Sequence, residues 1–190
     1  MFSTAPVELL ERAIGYTRGT LAAVHDDLLS RRTPCAEWDL AALLAHMGDG
    51  LAAFTEASSG VVALAPDPRP ATTVEQLRTR ACALLAAWSA PAAPSAYVGG
   101  ARLDVDVLLP VAALEVAVHG WDVGQATGAA TPIPAALAAD LLPVAHRAVT
   151  AQDRGTRFAD PVPVAGAGAT NELLALVGRR AASGRMPANP

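Results

Sequence analysis

In the stretch Pro110-Val-Ala-Ala-Leu114-Glu115-Val-Ala-Val-His119-Gly120-Trp121-Asp122, a carboxylate and an imidazole stand four residues apart among apolar neighbours. On a helix that spacing puts Glu115 and His119 on one face, with Asp122 a turn further on. An ionised carboxylate in apolar surroundings needs a partner, because leaving it unpaired is costly. A divalent ion supplies one: carboxylate oxygen and imidazole nitrogen are zinc ligands, each about 2 Å from the metal. One helix cannot close such a site alone. His46, at the edge of an apolar stripe, is the third candidate ligand, whereas His25 and His146 fall near helix ends beside Asp26 and Arg147. Three protein ligands leave a coordination position open, as in catalytic zinc sites. Zinc suits the set first, and nickel or iron accept the same donors. Asp122 is a candidate acceptor for a ligating histidine. Spacing alone leaves plainer readings open: a Glu–His surface pair, a satisfied core histidine at His46, and Cys35 as a small buried residue, with a Cys35 that faces the site as the lesser reading. Trp38 and Trp121 read as core or pocket walls.

These residues need helices to hold them, and the composition agrees. Of 190 residues, 52% are hydrophobic and only 4% aromatic, which favours helices packed through small side chains. A net charge of −4 leaves no electrostatic footprint for nucleic acid. Every basic residue is arginine, a bias easier to attribute to a GC-rich genome than to physics. Cys35 and Cys82 make no disulfide framework. With no signal-like start and no apolar run of about 20 residues, the expectation is a cytoplasmic protein without a membrane partner.

Apolar periodicity predicts a first helix over Val7–Leu29, capped by Thr4 with Pro6 in its first turn. A second runs from Trp38 or Asp39 to about Ser58 and carries His46. The proline-bearing stretch Gly60–Thr72 reads as a loop, followed by a third helix from Val74 to Trp88 capped by Thr73 or Thr72. Ser89–Asp106 reads as an irregular connection with one extended piece, since Leu103, Val105 and Val107 alternate. The fourth helix, Pro110–Ala126, carries Glu115 and His119 and closes at Gly128. A fifth covers Pro134–Thr150, a short last one Asn171–Arg180, and the tail from Ser183 is loose. The whole reads as an all-α four-helix bundle with additional C-terminal helices. It is one domain over 1–190, with a core at about 5–150, an extension at 151–190, and at least one crossover connection.

Read together and in order, Thr33-Pro34-Cys35-Ala-Glu37-Trp38-Asp39, Leu43-Leu44-Ala-His46, Glu115-x-x-x-His119-Gly120-Trp121-Asp122 with Gly128, and Leu173-Leu174-Ala-Leu176-Val-Gly178-Arg179 form a pattern. It resembles the actinobacterial metal-binding proteins related to mycothiol-dependent maleylpyruvate isomerase, within the DinB-like superfamily. The resemblance implies a DinB-like four-helix bundle. It also implies a metal held by a histidine of the second helix and a Glu and His of a later one, here His46, Glu115 and His119. The isomerase itself resembles a bundle followed by a substantial second domain. Only about 40 residues follow the fifth helix here, too few for a comparable one. Fold and metal carry over on this reading, and isomerase activity does not. Arg179 reads first as a structural ion pair and second as a group reaching the site from the C-terminal segment.

The expected function is therefore a mycothiol-dependent transferase or isomerase, in which the metal activates a low-molecular-weight thiol toward an electrophilic substrate. A metal-dependent hydrolase with Asp122 as base, and a non-enzymatic metal- or ligand-binding module, are the alternatives. Monomer and homodimer both fit the alanine-rich faces.

Overall fold

The computed structural model describes residues 5–63 and 72–180. Its elements in chain order are α1 (Pro6–Leu21), α2 (Leu40–Glu56), β1 (Val61–Val62), α3 (Val74–Ser89), β2 (Ser95–Val98), β3 (Ala101–Asp104), α4 (Val105–Thr127), α5 (Ala135–Ala148) and α6 (Ala169–Leu176), with short 3-10 turns at Asp26–Leu28, Ala57–Ser59 and Ala151–Asp153. By internal contacts the chain divides into two compact units, Met1–Ile133 and Pro134–Pro190.

The first unit is a DinB-like four-helix bundle. α1 packs on α4 and α3, and α2 packs on α3 and α4. Around the bundle the helices follow the order α1, α4, α2, α3, so the links α1–α2 and α3–α4 cross a diagonal. Those crossings need long connections, and the β hairpin lies in one of them.

Local chemistry sets the helix ends. α2 begins where the Asp39 side chain accepts the Ala42 N–H at 2.8 Å. α3 opens on a reciprocal capping box between Thr73 and Gln76. α1 starts at Pro6, behind Ala5; the Thr4 expected as its cap lies outside the described residues. α1 stops at Leu21, short of the predicted Leu29. Ala22, Ala23 and Val24 bond three residues back, tightening the end, and His25 turns extended to start a separate 3-10 turn. That turn still buries Leu28, which explains why the apolar period outruns the helix.

Two features of the Ser89–Asp106 connection differ from expectation. It holds an antiparallel hairpin, β2–β3, with β1 added parallel to β2. Gly99 and Gly100, at φ 56° and 87°, supply the two positive dihedrals of a tight hairpin turn. α4 also begins at Val105, five residues before Pro110. A helix's first four N–H groups have no intrahelical acceptor anyway, so a proline just past them frees only one carbonyl, that of exposed Asp106.

α4 is the core of the unit. From Leu108 to Gly124 only Val111 and Glu115 escape full burial. Its 23 residues are long and apolar enough to span a bilayer by length and composition, yet 83% of its 18-residue apolar window is buried, as in the core helix of a globular protein. Two glycines let α1 approach. At Gly120 an added Cβ would collide with the Thr17 side chain, whose hydroxyl donates to Val116 O at 2.8 Å. At Gly124 it would make only ordinary contacts, with Thr20 Cγ2 at 3.6 Å and the backbone nitrogens of Ala130 and Thr131 at 3.8 Å.

In the second unit α5 packs on α6. α5 ends at Ala148 and α6 spans Ala169–Leu176, both shorter than predicted. Gly178, at φ 76°, closes α6 against Ala159. Arg179 is buried and donates from Nη1 to Val177 O at 3.0 Å. The tail from Ser183 lies outside the described residues.

The two α4 glycines are expected to behave oppositely in urea unfolding. Gly120→Ala lowers stability by about 1–3 kcal/mol through overpacking, and Thr17→Ala in the same chain restores at least half of that. Gly124→Ala is neutral or stabilising by up to about 1 kcal/mol, through helix propensity. Equal losses at both positions would refute this reading of the α1–α4 contact.

Candidate metal centre

Glu115 and His119 project from the single line on α4 that is not sealed by the core, and His46 faces them from α2. Glu115 Oε2 lies 3.3 Å from His119 Nε2 and 4.0 Å from His46 Nε2. All three donor atoms lie within 4.8 Å of one another. Two donors each about 2 Å from one tetrahedral ion sit about 3.3 Å apart, so the Glu115–His119 spacing matches and His46 stands slightly wide.

The cluster is graded in exposure: 41% of the His46 side chain is accessible, 25% of Glu115 and 10% of His119. Access therefore comes from the His46 side. The Trp38 indole walls that side, its ring centroid 4.5 Å from His46 and 6.2 Å from His119. Trp121, by contrast, is a core residue.

Behind His119 lies a second carboxylate. Asp122, fully buried, holds His119 Nδ1 at 3.1 Å through Oδ2. The ring thus runs between two carboxylates, Glu115 at Nε2 and Asp122 at Nδ1. The Cys35 thiol donates to the same Asp122 oxygen at 3.4 Å. Of the two readings of Cys35, the lesser holds: it is half-buried and faces this cluster. Cys35, His119 and Asp122 form a second group of donors overlapping the first.

The electrostatics follow from this chain of groups. Burial pushes the Glu115 carboxyl up, but hydrogen bonds and charge from His119 and His46 outweigh it and hold it well below the usual carboxylate range. Burial pushes the His119 imidazole down; Asp122, Cys35 and Glu115 together outweigh that and raise it well above its ordinary value. Tyr16, whose hydroxyl donates to Thr131 O at 2.8 Å, is raised by burial and then by the Asp122 charge.

The other two histidines stay outside this cluster: His25 precedes the 3-10 turn and His146 lies in the last turn of α5.

A depressed carboxyl contributes stability that is complete above its unfolded value, near 4.5 for Glu115, and is lost as pH falls toward the folded value. In EDTA the parent protein should therefore lose urea stability between pH 5.5 and 3 more steeply than Glu115→Gln. Parallel curves would show that Glu115 gains nothing from its imidazole neighbours.

Comparison with known proteins agrees with this architecture. The mycothiol maleylpyruvate isomerase N-terminal domain family matches residues 10–124, more than half of the chain. Two uncharacterized proteins of Mycobacterium tuberculosis, from strains CDC 1551 and H37Rv, are each 29% identical over 165 residues, covering 83% of this chain and 88% of theirs. No solved structure matches the chain. The matched segment takes in most of the bundle and every donor of the cluster, and the chain belongs to the mycothiol maleylpyruvate isomerase N-terminal domain family.

Proposed function

We propose that His46, Glu115 and His119 hold a divalent metal ion, zinc in the first instance, and that the protein is a thiol-dependent transferase or isomerase acting in the cytoplasm. The observation that carries the reading is the convergence of two imidazoles and one carboxylate from two helices, with the buried Asp122 behind His119. An Asp–His pair of this kind selects the tautomer that presents Nε2 and raises its basicity. The donor set suits zinc, nickel or iron.

A divalent ion in this place supplies a Lewis acid that delivers a thiolate at neutral pH from a low-molecular-weight thiol such as mycothiol. The chain's own residues do the rest. His46 leaves one flank accessible, so a thiol and an electrophilic small molecule enter there. Trp38 excludes water from that flank and offers a flat apolar wall. Asp122 keeps the proton of His119 on Nδ1, away from the donor face. Cys35 is not needed as a nucleophile, because the cofactor brings its own sulfur.

The hydrolase alternative needs a general base beside a metal-bound water. Asp122 is a poor candidate: it has no exposed surface and engages the opposite edge of the His119 ring. That favours the thiol reading.

Metal content by mass spectrometry of the untagged protein tests the site. The expected result is close to one equivalent in the parent and little in His46→Ala or His119→Ala. Asp122→Asn should retain the site with affinity weakened about 10–100-fold. An empty parent after zinc reconstitution would sink the metal reading. Mycothiol binding that vanishes on zinc removal supports the transferase or isomerase; metal without thiol binding leaves a hydrolase or a binding module.

A further inference from the structure

Residues 33–38 form a turn that is tied to itself at several points before α2 begins. The Thr33 hydroxyl donates to Trp38 O at 2.8 Å and receives the Cys35 N–H at 3.1 Å. Trp38 N–H donates to Cys35 O at 2.9 Å and Thr33 N–H to Trp38 O at 3.3 Å. Just outside, Leu40 N–H donates to Arg31 O at 2.9 Å, and Asp39 caps α2. Backbone held this way gives its side chains fixed starting points.

Two of those side chains reach the cluster from opposite ends. The Cys35 thiol meets Asp122 Oδ2 at 3.4 Å, and the Trp38 indole lies against His46 at 4.5 Å between ring centroids. Asp122 Oδ2 is the oxygen that also holds His119 Nδ1. One turn therefore touches the support of one imidazole and the ring of the other.

We propose that the 33–38 turn is the positioning element for both imidazole arms, with Cys35 and Trp38 as its two positioning residues. Cys35 donates its S–H to Asp122 and limits rotation of the carboxylate that orients His119. Trp38 limits rotation of the His46 ring, the most exposed of the three donors. A thiol is a weak donor, so the effect at Cys35 is a matter of tuning, and a hydroxyl in its place performs the same task. The inference rests on the metal site proposed above and assigns to the thiol a role in ligand geometry, with no part in bond making.

The test is zinc affinity by chelator competition for the parent, Cys35→Ala, Cys35→Ser, Trp38→Leu and Asp122→Asn, with Cys35→Ala also placed in the Asp122→Asn background. Urea midpoints in EDTA are measured beside them. Cys35→Ala is expected to weaken zinc binding about tenfold with little change in the EDTA midpoint. Cys35→Ser should stay within about threefold of the parent, the hydroxyl replacing the thiol as donor. In the Asp122→Asn background the loss from Cys35→Ala should shrink, because the thiol acts in part through that carboxylate. Trp38→Leu should weaken binding in either background. Equal losses in Cys35→Ala and Cys35→Ser, or a loss from Cys35→Ala that persists undiminished beside Asp122→Asn, would overturn the proposal. Parent-like affinity in Cys35→Ala and Trp38→Leu, with His119→Ala abolishing binding, would overturn it while leaving the metal site standing. A parent that binds no zinc would overturn both.

Discussion

A carboxylate and an imidazole on the most buried helix of the bundle are the constraint around which the first unit is arranged. α4 is apolar on nearly every side, so Glu115 and His119 have no water on most of their surface and must satisfy one another. They do so in a relay, Glu115 to His119 to Asp122, whose members stand at i, i+4 and i+7. Helical geometry alone brings those three together. The relay sets two carboxylates against one imidazole ring, and a second imidazole, His46, lies 4.0 Å from Glu115 on its accessible side.

The packing around α4 keeps the relay dry on one side and open on the other. On the α1 side, Gly120 allows close contact with Thr17, whose hydroxyl occupies the space a larger residue would take. On the α2 side, His46 and Trp38 stand where a continuous apolar contact would otherwise form. The same helix is thus sealed along one face and carries its polar cluster along another. The small residues beside His119 belong to that division: they let α1 come close enough that the polar groups have a single direction in which to face.

Much of this was legible in the sequence, because it is local. The Glu115–His119 spacing, the Asp39 cap and the Thr73–Gln76 box depend on residues within one helical turn. The bundle itself follows from the lengths and stripes of four helices. What escaped was encoded by competition between local signals. Pro110 looks like a helix start because proline suits that position, yet it is equally compatible with the sixth position of a helix whose earlier N–H groups lack acceptors anyway. Gly99-Gly100 reads as a helix breaker; its second meaning, a hairpin turn, depends on β2 and β3 pairing across it. The approach of Cys35 to Asp122 joins residues 87 apart in sequence, and no periodicity carries such a contact. The Thr-Pro-Cys-x-x-Trp spelling was a visible signal, but only its resemblance value was readable, not its geometry.

The division between local and distant contributions also says where such a site can vary. Three of its members ride on one helix and keep their spacing whatever the rest of the chain does. His46 and the 33–38 turn are brought in by tertiary packing, and they alone border the accessible flank. Changes at His46 or Trp38 alter the accessible side of the cluster, whereas a change at Cys35 reaches the relay through Asp122. Changes to the three members on α4 disturb the core as well, since nearly every residue from Leu108 to Gly124 is buried. A bundle built this way can keep the charge arrangement on α4 while the residues ahead of α2 and on its exposed edge vary.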